Sequence, residues 1–262
     1  MTRAVTVSHK CHDCIKAVGL AVASLFAATV GAMAQRNRIL SPDIASLQVV
    51  ADDNWLQMPV MKLGSGSVMN IAFDDLTHEY RRYAYRLDHC EADWTTSDQL
   101  FASDFCRGFA DGNTIDDSEE SVNTTVLYTH YRLQIPNERC EPTISGNYRL
   151  TVYDDNSKDT VLTACFMIVE PKMSVGLDVT TNTDIDINRS HQQVGMRLNY
   201  GSLPVRDWQK EIKTVVLQNG SWTGAATDPK PQYVMHDGLQ WAHNRALIFP
   251  GGNEYRKFET LD

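Results

Sequence analysis

The sequence predicts an all-β protein, two tandem immunoglobulin/fibronectin-III-like β-sandwich domains after a signal peptide. Three observations carry the prediction. Apolar residues recur with a period of two in one segment after another, no window of comparable quality has helical periodicity, and polar turn signals break the chain every dozen residues or so. A length of 262 residues accommodates two domains of this kind, and 42% hydrophobic with 22% charged residues is the composition of an ordinary folded chain.

The elements follow in order. Residues 1–34 read as a secretory leader. Arg3, Lys10 and Lys16 supply a positive start, 17–31 is an apolar run broken only by Ser24 and Thr29, and Ala32-Met33-Ala34 offers small residues where a signal peptidase reads, so cleavage is expected before Gln35. The apolar run is about 15 residues, short of the ~20 that a membrane-spanning helix needs. Loss of the leader moves the formal net charge from −9 to −11, because Arg3, Lys10, Lys16 and Asp13 leave with it. Cys11 and Cys14 also leave, so their C-x-x-C spacing carries no redox or zinc reading. Four cysteines remain, Cys90, Cys106, Cys140 and Cys165; an exported compartment permits disulfides, and the spacing selects none of the three possible pairings.

The first domain is expected over 35–171. Strands are predicted at 68–73, 82–90, 126–135, 147–153 and 161–169; the last is apolar on both faces, as in the middle of a sheet. The polar stretch 154–159 makes the last two strands a hairpin, and 63–67 (Leu-Gly-Ser-Gly-Ser) reads as a turn before a strand, not as a phosphate-binding loop before a helix. Glu170-Pro171-Lys172 marks the boundary. The second domain, 172–262, is predicted from strands beginning at Met173 and spanning 193–200, 211–218 and 246–249.

Charge and motifs narrow the function classes. A net charge of −9 argues against a nucleic-acid or polybasic membrane-surface binder. H-E-x-x-H, G-x-S-x-G, the Walker loop and a strand-linked G-x-G-x-x-G do not occur. His89 and Cys90 are consecutive strand residues that point to opposite faces, so they do not share a metal ion. The acidic residues Asp111, Asp116, Asp117, Glu119 and Glu120 lack EF-hand spacing and are read as a solvated loop. Tyr80, Tyr83, Tyr85, Trp94, Tyr128, Tyr131, Tyr148 and Tyr153 gather in one domain, as sandwich core, as a recognition face, or as a carbohydrate-stacking platform.

A series of short segments then resembles a known family. They are Phe73-Asp74-Asp75-Leu76; Tyr85 with 88–94 (Asp-His-Cys-Glu-Ala-Asp-Trp) and Ser97; Gly108-Phe109; Ser121-Val122-Asn123-Thr124; Tyr128-Thr129-His130-Tyr131 running to Ile135-Pro136-Asn137; Ser145-Gly146-Asn147-Tyr148; and Phe166-Met167-Ile168-Val169-Glu170. Beyond the boundary come Gln218-Asn219-Gly220 with Trp222, Lys230-Pro231, and the segment from Phe249 through Asn253, Glu254 and Arg256 to Phe258. In order and number these resemble the type IX secretion system plug proteins of Bacteroidota, over nearly the whole chain after the leader. The resemblance implies a non-enzymatic periplasmic subunit that binds and seals the outer-membrane translocon barrel, with no cofactor, no nucleic-acid partner and no membrane insertion of its own. It carries over no catalytic residue. Asp74, Asp75, Asp88, His89, Trp94, Asn123, Tyr128, His130, Tyr131, Asn147, Tyr148, Asn253, Glu254 and Arg256 are its structural or interface candidates, and His89, Trp94, His130 and Tyr131 are expected to be structural. Family members continue well past the Gly-Gly-Asn-Glu segment, so either the second domain is truncated or the sealing function requires only what is here. The alternative from the residues themselves is an exported carbohydrate-binding or adhesive sandwich module, to be recognised by two or three coplanar exposed rings on one sheet face.

Overall fold

The computed structural model describes residues 37–252. The leader with its two cysteines and the candidates Asn253, Glu254 and Arg256 lie outside the described residues. Within them the chain is all-β.

In chain order the first half holds β1 (Arg38–Ile39), β2 (Ile44–Ala51), β3 (Val60–Lys62), β4 (Met69–Asp75) and β5 (Tyr83–Cys90), then the short helix α1 (Ala102–Phe105). It continues with β6 (Cys106–Gly108), β7 (Asp111–Thr114), β8 (Asp117–Glu120), β9 (Thr129–Ile135), β10 (Cys140–Pro142), β11 (Gly146–Asp154) and β12 (Thr160–Val169). One sheet is ordered β1-β12-β11-β5-β7, with β3 also pairing β12 in parallel; the other is β2-β4-β9-β8; β6 and β10 form a separate ribbon. Alternation decides which side chains face inward. Met69, Ile71 and Phe73 of β4, with Tyr131, Leu133 and Ile135 of β9, meet Tyr83, Tyr85 and Leu87 of β5, Tyr148, Leu150 and Val152 of β11, and Leu162, Ala164, Phe166 and Ile168 of β12 in one buried cluster.

The second half holds β13 (Ser174–Thr180), β14 (His191–Asn199), helix α2 (Trp208–Glu211), β15 (Val215–Gln218), β16 (Ser221–Thr227), β17 (Tyr233–Met235), β18 (Gly238–Trp241), a 3-10 turn at Arg245–Leu247 and β19 (Ile248–Pro250). Its sheet runs β13-β14-β18-β17, with β19 also on β14, and β15 and β16 form a hairpin. Val194, Met196, Leu198, Tyr200, Leu239, Trp241, Leu247 and Phe249 make a second, smaller core.

Sequence expectations are corrected at several elements, the strand expected over 246–249 among them, which begins only at Ile248 after the 3-10 turn. The acidic loop contains two strands: β7 completes one sheet beside β5, and β8 closes the edge of the other beside β9, where Arg132 pairs with Asp117 and Glu119. The carboxylates point outward from an edge, so strand pairing is compatible with a sequence that has no apolar alternation. The strand expected over 211–218 begins only at Val215. Ahead of it Asp207 caps α2 by accepting from the Gln209 N–H at 3.2 Å, while Glu211 reaches back to accept from the N–H groups of Arg206 and Asp207.

Candidate functional site

The candidate residues divide between an interior cluster, a His pocket, a buried Trp and a polar outer face. At the end of β4, Asp75 is fully buried. Its Oδ2 accepts the Tyr83 hydroxyl at 2.8 Å, and its Oδ1 accepts both the N–H and the hydroxyl of Thr77, at 2.9 and 2.8 Å. The Arg81 guanidinium stands 3.8 Å away and also binds Asp43 at 3.1 Å. Tyr131 donates to the Arg81 carbonyl and accepts from the Arg81 N–H, at 2.8 and 2.9 Å. The rings of Phe73 and Tyr131 stack at 5.2 Å, and Tyr83 meets both edge-on at 5.4 and 5.0 Å. The polar tips thus satisfy one another while the rings fill the space between the sheets.

Burial pushes the phenols of Tyr83, Tyr131 and Tyr148 above their ordinary range and that of Tyr85 to about 12; for Tyr83 the bond to Asp75 adds to the effect. A raised phenol pKa favours the neutral form in the fold. The stability it represents is complete below about pH 10, the unfolded value, and is lost as pH rises through the folded value. We expect a spectrophotometric alkaline titration to show these four tyrosines, with Tyr153 and Tyr200, ionising later in the fold than in denaturant, where they titrate near pH 10, and ionisation of the buried four to bring loss of the near-ultraviolet dichroism.

His89 sits on the inward face of β5 against Tyr148, with ring centroids 5.2 Å apart, and near Phe105. Its Nε2 lies 3.4 Å from the Ser145 carbonyl, which can only accept, so Nε2 carries the hydrogen; the buried Ser97 hydroxyl, 2.8 Å away, donates to Nδ1. The ring is pressed against the start of β11: a Cβ on Gly146 would collide with the imidazole. Gly146→Ala is therefore expected to displace the ring and to cost about 1–3 kcal/mol in a denaturant melt.

Trp94, at φ +67°, is 4% exposed in the turn after β5, and its ring meets Trp222 of β16 edge-to-face at 6.3 Å. Its Nε1 is buried without a hydrogen-bond acceptor. Asn147 secures the same turn by donating to the Glu91 carbonyl at 2.9 Å, and Asp88 accepts from Arg86 at 3.2 Å. Asn123, at φ +59° and exposed, and Tyr128 belong to the loop between β8 and β9, where the Tyr128 N–H donates to Ser121 Oγ. His130 faces outward from β9, its Nδ1 2.6 Å from Asp74 Oδ1 across the strand pair.

A groove of about 580 Å³ lies over this outer face, lined among others by Asn70, His130, Arg132, Gln134 and Arg139, with Trp55 at its rim. Its cations are spoken for: Arg132 as above, and Arg139 by Asp116 at 2.7 Å. Among the described residues no group of three or more His, Cys, Asp or Glu side chains could hold a metal ion. The exposed rings of Trp55, Tyr80, Phe101, Phe109 and Tyr233 come from separate segments, whereas the ring contacts between described residues gather around buried rings.

One surface that sequence reasoning missed is apolar. Val175, Leu177 and Val179 stand opposite Leu198, Met196 and Val194 in register, on the core side of their sheet, yet are 56–62% exposed on the open edge strand β13. The alternation was readable; that nothing among the described residues covers it was not.

Residues 44–170 match the family model described as the type 9 secretion system plug protein first domain. The chain is also similar to a solved structure of a hypothetical protein from Parabacteroides merdae, with 40% identity and a TM-score of 0.81; the match covers 87% of this chain and 57% of that one. The chain thus corresponds to little more than half of that protein's length. No curated protein matches it.

Proposed function

We propose, on the premise that the chain belongs through residues 44–170 to the type 9 secretion system plug family, that it is a periplasmic subunit which binds the outer-membrane translocon barrel and closes it without catalysing a reaction. The family match carries the reading. The geometry supports it: Asp75, Tyr83, Tyr131, His89 and Tyr148 are consumed in holding a rigid body together, and an obstruction needs rigidity and a partner-facing surface, not a reactive group. Two separate buried clusters, and strand pairing among the described residues that does not cross residue 170, support reading 35–171 and 172–262 as two domains. No helix among the described residues is long and apolar enough to cross a membrane. Docking must hold the pore shut yet yield to cargo, which a polar-rimmed interface of moderate affinity provides, and the acidic charge acts on it over a Debye length of about 8 Å at physiological salt.

Deletion of the gene tests the reading. The expected result is an outer membrane that admits large antibiotics, restored by the intact gene. A deletion strain that excludes them as well as wild type, or purified protein that hydrolyses a polymer with saturable kinetics, contradicts it.

A further inference from the structure

We propose that Cys106 and Cys140 are a disulfide pair, closed when the chain folds in the presence of a disulfide oxidant. The spacing of the cysteines allows several pairings; the fold favours this one. Cys106 opens β6 and Cys140 opens β10, and the two strands form their own ribbon, with Cys140 opposite Gly108 and Cys106 opposite Pro142. Both side chains turn into the first core, 3% and 0% exposed, and the two Sγ atoms are in contact at 3.2 Å. The ribbon is built for close approach. Gly108 holds φ +94°, and a Cβ there would collide with the Arg139 carbonyl, so the strand carrying Cys106 is drawn against the residue that precedes Cys140.

The bond would do structural work. Between the two cysteines the chain passes through β7 of one sheet and β8 and β9 of the other. A link at the ribbon closes a loop that contains strands of both sheets, so it restrains the unfolded chain across both halves of the sandwich. Phe109 donates to the Arg139 carbonyl and Thr143 to the Phe105 carbonyl on either side of the pair, which keeps the ribbon in register before the sulfurs join.

The chemistry is thiol–disulfide exchange with a small-molecule or protein disulfide. One cysteine, as thiolate, attacks a sulfur of the oxidant and releases its first thiol; the second displaces the mixed disulfide and releases the other. The Sγ–Sγ bond replaces the oxidant's S–S bond, two electrons pass to the oxidant, and the two thiol protons leave on the two released thiols. Burial pushes the Cys140 thiol up, which disfavours attack inside the finished fold. The bond therefore forms once the ribbon is paired and before the core closes over it.

The test uses the full chain, reduced and unfolded in denaturant, then refolded with a mixture of oxidised and reduced glutathione, quenched by alkylation and mapped as peptides without reductant. The expected result is a linked peptide joining Cys106 to Cys140, and a melting midpoint above that of the reduced protein. In C106S/C140S the midpoint should no longer respond to the glutathione mixture. Refolded protein in which Cys106 and Cys140 are both alkylated, or in which either is joined to any other cysteine of the chain, overturns the assignment. The map reads wild-type protein, so it does not depend on the variant folding.

Discussion

Asp75→Ala is expected to destabilise the chain by about 3–5 kcal/mol, because a fully buried acceptor of three hydrogen bonds is lost and each donor left unpaired costs about 1–3 kcal/mol at most. The carboxylate is fully buried and is the common acceptor for Tyr83, the Thr77 N–H and the Thr77 hydroxyl. Its loss leaves the buried Tyr83 hydroxyl and the two half-buried Thr77 donors without their partner, and the Arg81 guanidinium without one of its two carboxylates. Tyr83→Phe removes one hydroxyl and keeps the ring on Phe73 and Tyr131, so it should cost less, about 1–2 kcal/mol. Urea melts of both variants check the order. An Asp75→Ala cost below about 1 kcal/mol would mean the cluster is not held together by this carboxylate.

Trp94→Ala should cost a similar amount, about 3–5 kcal/mol, as an aromatic side chain 4% exposed is replaced by a methyl. Trp94→Phe should cost less, because it keeps part of the ring volume and removes the indole N–H that is buried without an acceptor. The partner ring, Trp222, lies more than a hundred residues downstream, on β16. A double-mutant cycle between the two positions is expected to give a coupling of about 0.5–1.5 kcal/mol. Coupling near zero would place the energy of Trp94 in its local turn and not in the contact with Trp222.

Much of the first half is legible in sequence because alternation there is strong. The segments predicted at 68–73, 82–90, 147–153 and 161–169 fall on β4, β5, β11 and β12 with ends shifted by at most two residues, and the 154–159 turn joins the last two. The segment begun at 126 starts as a strand only at Thr129, because Ser121 and Thr124 fold the residues before it into a loop through bonds to Tyr128 and Val126. What failed to show was set by distant partners. Asp111–Thr114 and Asp117–Glu120 carry no apolar period, and they are strands because β5 and β9 offer open edges. β3 is three residues long and pairs in parallel with β12, an arrangement that no local pattern encodes.

The candidate site divides in the same way. That aromatics gather in the first domain was readable, and so was the face that His89 shares with Tyr83, Tyr85 and Leu87. Which rings are core was not. Tyr80 is 62% exposed although it stands three residues from the fully buried Tyr83. The choice is made by strand entry: Tyr83 begins β5, while Tyr80 precedes it, outside the ladder. The hub role of Asp75 was likewise hidden, since Asp74 and Asp75 look alike in sequence and alternation sends one outward to His130 and the other inward to Tyr83.

Affinity purification of the tagged full chain from the native envelope, with identification of what accompanies it, tests the central claim most directly. The account predicts that the outer-membrane translocon barrel of the type 9 secretion system is recovered with it, and that recovery falls as salt is raised during the wash if the acidic charge contributes to docking. Recovery of properly folded protein without the barrel, from cells that make both, would contradict it.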